Sequence, residues 1–255
     1  MKTTLGAQCD DFYASSRLFL KLELSLERET VLHFFDRIRR EHPSAWRFRR
    51  RGDDGALMLE EGNVDSRENE PRRWVRLEPA VIRFGYFSPP SPAANRAFAR
   101  FLLQQAPYHL TLSDLDLDHF ELVYGFDMEY SGNHDQLVAE TLFSEHPLAS
   151  FLLGDEAAHA VDCQPYFGIA LSPECDLQAY VEIKSRTSSF EVRTGEYEPQ
   201  LLSVYLTVRR YWGFHHPTDL PAVYEELADI ADELAVQRVV PLIVNPLALA
   251  IASRP

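Results

Sequence analysis

Charged side chains that alternate with apolar ones along extended runs are the residues of this chain best placed to do chemistry. Arg47, Arg49 and Arg51 fall on one side of the run Ala45 to Arg51, and Glu121, Asp127 and Glu129 on one side of His119 to Tyr130. Glu182, Lys184 and Arg186 alternate in Val-Glu-Ile-Lys-Ser-Arg, and Arg193 and Arg209 extend the set. Successive strand residues point to opposite faces, so each group presents its charges together. On a sheet curled into a tunnel, Arg47, Arg49, Arg51, Lys184, Arg186, Arg193 and Arg209 would hold the phosphates of a triphosphate. Glu121, Asp127, Glu129 and Glu182 would hold Mg²⁺ or Mn²⁺, hard cations that take oxygen ligands. On a sheet that stays open, the same residues make one wet face laced with cross-strand ion pairs.

Other residue sets carry less. Asp114, Asp116, Asp118 and His119 look like a metal-ligand run. Leu115 and Leu117 between them suit a polar edge or loop, and cation loops add a glycine and a terminal Glu. Glu156 and His159 have the helical spacing of a di-iron site, but no second such motif accompanies them. His215-His216 precede a proline, as a loop anchor does. No P-loop, GxGxxG, GxSxG, HExxH or EF-hand loop is present. Cys9, Cys163 and Cys175 are too few and too scattered for a disulfide framework or zinc ribbon, and an odd count without CxxC fits a reducing compartment. Trp46, Trp74 and Trp212 fit strand cores or a stacking platform. Tyr205, Tyr211, Trp212 and Phe214 suit a protein interface.

The elements that position these residues follow from periodicity. Leu18, Leu20, Leu22, Leu24 and Leu26 alternate with Phe19, Lys21, Glu23 and Ser25, which predicts a half-buried strand over 17–26. Val31, Phe34, Phe35 and Ile38 mark a helix over 27–41 that Pro43 ends. Runs 45–51 and 56–61 flank Gly52-Asp-Asp-Gly55 as a hairpin, and the polar stretch 62–71 reads as a loop. Strands are expected at 73–78 and 81–87, then a helix from Ser91-Pro92 to about residue 105. The second half restarts with a strand over 119–130. Asn133 and Gln136 have capping-box spacing for a helix to residue 143, and a short helix is expected over 147–153. Strand-like runs follow at 165–171, 178–186, 190–194 and 201–211. Asp219 and Pro221 open a last helix over 222–239.

The chain has 255 residues, 45% hydrophobic and 25% charged, enough apolar material for a globular core. Its net charge of −14 disfavours nucleic acid as partner. That charge is uneven: residues 1–100 hold 18 Lys+Arg against 15 Asp+Glu, and residues 101–255 hold 7 against 24. Arg outnumbers Lys by 22 to 3, which suits bidentate anion recognition but follows more readily from coding bias in a GC-rich genome. The apolar stretch Val239–Ala252 is broken by Pro241, Asn245 and Pro246 and falls short of the about 20 residues of a bilayer span. It reads as a buried segment, with a cytoplasmic location and no membrane partner expected.

The stretches Trp46-Arg-Phe-Arg, Trp74-Val-Arg-Leu-Glu-Pro-Ala-Val-Ile-Arg-Phe and Ala97-Phe-Ala-Arg-Phe carry a resemblance. With the restart Leu122-Val-Tyr-Gly-Phe, the chain resembles a sporadically distributed bacterial family of about this length with no known activity. That resemblance implies a leading strand, a hairpin-and-strand block and a strand–helix restart, and it assigns no site residues. The charged strand faces also resemble the triphosphate-tunnel hydrolases, built from two ferredoxin-like halves with Glu-x-Glu-x-Lys on the first strand. Here the nearest string is Tyr180-Val-Glu182-Ile-Lys184, which lacks the first Glu and lies late in the chain.

The expectation is an α+β protein of two successive ferredoxin-like units, 1–118 and 119–255, on a largely antiparallel sheet with helices on one face. The alternative division is one continuous domain. Missing catalytic motifs, uneven charge and open strand edges favour a non-enzymatic interaction or accessory module whose partner is another protein or a second copy. The alternative is a metal-dependent triphosphate hydrolase.

Overall fold

The first strand lies earlier than leucine spacing suggests. In the computed structural model, which describes residues 4–50, 55–62, 70–154, 158–212 and 219–254, β1 spans Asp11–Leu20. Phe12, Ala14, Leu18 and Leu20 face the core. A bulge at Phe19/Leu20 ends its regular pairing, and Leu22 beyond it is exposed. Helix α1 (Arg28–Glu41) buries Val31, Phe34, Phe35 and Ile38, the stripe expected of an amphipathic helix. It carries the chain to a far edge of the sheet, where a meander begins: β2 (Ala45–Arg50), β3 (Leu57–Glu61), β4 (Arg72–Glu78) and β5 (Val81–Phe87). The Gly52-Asp-Asp turn and most of the 62–71 loop lie outside the described residues. Helix α2 (Pro92–His109) starts where Ser91 accepts a hydrogen bond from the Ala94 amide, with Pro92 at its first position.

The second half repeats this course. β6 (Leu117–Tyr130) is followed by α3 (His134–Leu142), capped by Asn133, and by α4 (Ala149–Leu152). β7 (Tyr166–Ala170), β8 (Leu177–Lys184) and β9 (Gln200–Tyr211) return from the opposite edge. Residues 190–194, expected as a strand, form helix α5 (Ser189–Thr194). Ser188 and Glu191 close a capping box there, and Gly195 ends the helix at φ +72°, so local capping outweighs the apolar Phe190 and Val192.

Helix α6 (Leu220–Leu234) runs without a break through a π-helical segment, Ala235–Val244, into α7 (Asn245–Ala252). Pro241 has no N–H and crowds the preceding turn, a conflict that wider coiling relieves. The expectation of a short buried C-terminal segment is therefore corrected. The helix is continuous over Leu220–Ala252, long and apolar enough to cross a membrane by length and composition, with its most apolar window 22% buried. Val236, Leu242 and Leu249 are exposed, while Val239, Val244 and Leu247 enter the core.

The nine strands of the described residues join one antiparallel sheet in the order β2-β3-β4-β5-β1-β6-β9-β8-β7. The fold is thus α+β with a large, extended antiparallel sheet. The expected pair of ferredoxin-like units does not describe the strand order. Each half places its leading strand, β1 or β6, at the centre and winds a meander inward from an outer edge, four strands in the first half and three in the second. The halves meet where β1 and β6 pair antiparallel over ten residues of β1.

A single core cluster spans both halves and takes strand residues from one face only. There α2 and α6 are clamped by Arg96, which reaches Asp229 and Asp232 at 2.6 Å and Glu225 at 3.0 Å. The Tyr124 hydroxyl, on β6, donates to Asp232 at 2.8 Å and ties the helices to the sheet.

Candidate functional site

Strand register brings the charged residues of the other face, the one without a helical cover among the described residues, into a row. Arg49, Met58, Arg76, Arg83, Arg17, Glu121, Arg209 and Gln178 are consecutive cross-strand partners from β2 to β8. Strands lie about 4.8 Å apart, so this row crosses the sheet as one line of guanidinium groups interrupted by Met58 and by one carboxylate, Glu121. Local sequence explains the placement. Arg76 sits between Val75 and Leu77, and Arg83 between Ile82 and Phe84, so burying the apolar pair on the core face turns each arginine outward.

Like charges directly opposite one another destabilise a sheet, and Arg76–Arg83 and Arg83–Arg17 are such pairs. Two carboxylates hold them. Glu78 lies 2.8 Å from Arg76 Nε and 3.0 Å from Arg83 Nε. Glu121, 3% exposed, accepts from Arg209 Nε at 2.7 Å and from Arg17 at 3.5 Å. Between β4 and β9, four arginines share two glutamates. Burial pulls the Arg83 guanidinium below its usual pKa, with Glu78 and Glu121 opposing the shift and Arg17 and Arg76 adding to it. For Arg209, burial also disfavours the charge, but Glu121 and the Tyr211 hydroxyl more than offset it and raise the pKa. The outcome is an electropositive, half-buried strip in a chain of net charge −14.

Aromatic rings pave the adjoining rows. Trp74 faces Gly85, Tyr13 faces Gly125 and Tyr180 faces Gly168 across the ladder. A Cβ on Gly125 would come within 2.3 Å of the Tyr13 ring, and one on Gly168 within 2.6 Å of Tyr180. Each ring therefore lies flat where the partner strand has no side chain, an arrangement that covers a glycine's exposed backbone. Phe19 stacks on His119 at 4.0 Å, and Arg209 lies over the Tyr180 and Tyr211 rings at 5.1 and 5.5 Å.

A second polar group sits further along the same face. Asp127 is 8% exposed, and its Oδ1 is buried without a hydrogen-bond partner. Burial raises its pKa, with Asp11 adding to the rise and Ser203 and Arg186 opposing it. Tyr13, raised by burial and then by Asp127 and Tyr205, completes the group. Arg186 donates to Ser203 Oγ at 2.9 Å and to the Leu201 carbonyl.

The residues expected to bind phosphate and metal are dispersed over this face. Arg47 and Arg49 both pair with Glu60 at the β2 side, and Lys184 is exposed beside Glu182 at 4.0 Å. Arg193 is on α5, over the Phe190 ring, and Arg51 lies outside the described residues. Glu121 and Asp127 are six residues apart on β6, about 20 Å at strand rise, so they cannot share an ion. Glu129 is exposed near the end of β6, and Glu182 is two strands away on β8. Among the described residues no three His, Cys, Asp or Glu side chains gather as a metal group. Asp114 and Asp116 form a short 3₁₀ turn closed by Ser113, and Asp118 pairs with His119 at 2.8 Å. Glu156, His215 and His216 lie outside the described residues. Cys9 and Cys163 are buried and Cys175 is exposed, and none of the three is in a disulfide.

Arg17, Arg76 and Arg83, the centre of the row, escape the sequence reading. For Arg76 and Arg83 the signal is an arginine flanked by two apolar residues inside a strand, visible in Val-Arg-Leu and Ile-Arg-Phe; Arg17, between Ser16 and Leu18, lacks it. No family model matches the chain, and no curated protein matches it.

Proposed function

We propose that this protein is a non-enzymatic binding module whose open sheet face docks a short acidic segment of a partner protein. The observation that carries this reading is the row of Arg76, Arg83, Arg17 and Arg209 gathered around Glu78 and Glu121. Half-buried, mutually repelling guanidiniums gain from an added carboxylate, because charge-assisted bonds to planar forks are the strong ones. Flat rings on both sides supply apolar contact for the segment's other side chains. A long polyphosphate backbone suits the face less well, since Glu60, Glu78, Glu121 and Asp127 punctuate it and the rest of the molecule is acidic.

The test is fluorescence anisotropy with a labelled oligoglutamate peptide at low and high salt. The expected result is saturable, salt-sensitive binding that weakens about tenfold in each of Arg17→Gln and Arg83→Gln, the worth of one charged hydrogen bond. Absence of binding at low salt, or affinity unchanged in both variants, overturns the reading. A second reading, phosphate binding by the same arginines, is favoured by their forked geometry. It predicts that tripolyphosphate displaces the peptide.

A further inference from the structure

The two outer edges of the sheet are defended unequally. β2 carries Arg47, Arg49 and Arg50, charges that oppose edge-to-edge pairing. β7, Tyr-Phe-Gly-Ile-Ala, has no charge and no proline, and all five residues are exposed. Its backbone polarity is fixed by neighbouring bonds. The Ile183 amide donates to the Pro165 carbonyl and the Leu171 amide to the Leu177 carbonyl, so odd-numbered residues of β7 turn their backbone groups inward to β8. Tyr166, Gly168 and Ala170 then point theirs outward, because antiparallel partners alternate.

We propose that β7 pairs with β7 of a second copy of this chain, antiparallel about a two-fold axis through Gly168, joining two nine-stranded sheets edge to edge. This register satisfies the outward groups in full. Gly168 exchanges both bonds with its counterpart, and Tyr166 exchanges both with Ala170 of the other copy, on each side of the axis. Phe167 then faces Ile169 of the other copy as a close, non-hydrogen-bonded pair on the helix side. Those side chains are 58% and 45% exposed in the single chain. On the open side Tyr166 stacks on Tyr180 at 5.5 Å and 16°, which holds the edge strand flat.

The available area also fits a second copy. Residues 148–171 expose Leu148, Phe151, Val161, Tyr166, Phe167, Ile169 and Leu171, seven large apolar side chains between 37% and 84% exposed. At about half exposure each offers on the order of 100 Å². The pair of segments thus has at most roughly 1,400 Å² to bury, an upper bound within the range of a stable interface. The pairing leaves the arginine row open and is independent of its ligand.

Sedimentation equilibrium of the full chain, at salt high enough to screen repulsion between two copies of charge −14, tests this. The expected mass is twice 29.3 kDa, falling to 29.3 kDa in the double variant Phe167→Lys/Ile169→Lys. Both side chains are exposed, so the variant keeps its fold and its circular dichroism. Hydrogen exchange supplies a second readout: the Tyr166, Gly168 and Ala170 amides are protected in the wild type and exchange fast in the variant. A wild type that stays monomeric to near-millimolar concentration overturns the proposal. So does a dimer that survives the double variant with those amides unprotected.

Discussion

Replacing Glu121 by Gln separates the stability of the arginine row from its affinity for anions. The carboxylate is 3% exposed, bonded to Arg209 Nε at 2.7 Å and near Arg17 at 3.5 Å. Two charged hydrogen bonds at about 1.5–3 kcal/mol each are weakened. The amide oxygen keeps one acceptor, and the cost of desolvating the carboxylate is returned. The net loss is about 2–3 kcal/mol, which lowers the melting midpoint of a chain this size by roughly 5–10 °C. Binding moves the other way. A negative charge about 5 Å from its neighbours in the row, at effective dielectric between water and a protein surface, contributes on the order of 1–3 kcal/mol of repulsion to an incoming carboxylate. Its removal raises oligoglutamate affinity about tenfold. Urea unfolding followed by tryptophan fluorescence, paired with the anisotropy titration, measures both. A variant as stable as wild type, or one that binds the peptide more weakly, refutes the reasoning.

Two further substitutions probe the same face. Asp127→Asn stabilises the protein at neutral pH by about 1 kcal/mol, because an amide relieves a buried carboxylate with an orphan oxygen. The folded pKa of Asp127 is raised, so the native state holds the proton more tightly and stability falls as pH rises from the unfolded to the folded pKa. The gain from Asn therefore shrinks as pH falls from the raised folded value towards the unfolded carboxylate value, and a gain constant down to pH 3 contradicts this account. Gly125→Ala displaces the Tyr13 ring, which sits 2.3 Å from the new Cβ. It costs about 1–3 kcal/mol in urea unfolding, and a loss near zero means the ring has room to move.

How much of this was legible depended on whether the signal was local. Helix α2 and the cap of α3 followed from Ser91-Pro92 and Asn133, because a cap is decided within four residues. β1 was misplaced by some six residues. Its true span begins Asp-Phe-Tyr-Ala-Ser-Ser, where a central strand with small and aromatic residues on the open face loses clean alternation, while the leucines beyond Leu20 mimic it. Residues 190–194 were misread because Phe190 and Val192 spoke for a strand and Ser188–Glu191 for a cap. The arginine row was out of reach altogether. It draws one residue from each of several strands, and only long-range register, which no window of sequence contains, sets them side by side.

The β1–β6 seam bears on how the chain is made. β1 is an inner strand of the sheet, flanked by β5 and β6, yet it is synthesised first and its second neighbour starts only at Leu117. At 5–20 residues per second, the roughly 100 residues between them take about 5–20 s to emerge. By the end of that interval a five-stranded sheet stands at the ribosome with one long side open. Fidelity of folding in the cell is thus governed by elongation speed between α1 and β6, and the N-terminal half alone is a poor candidate for independent expression.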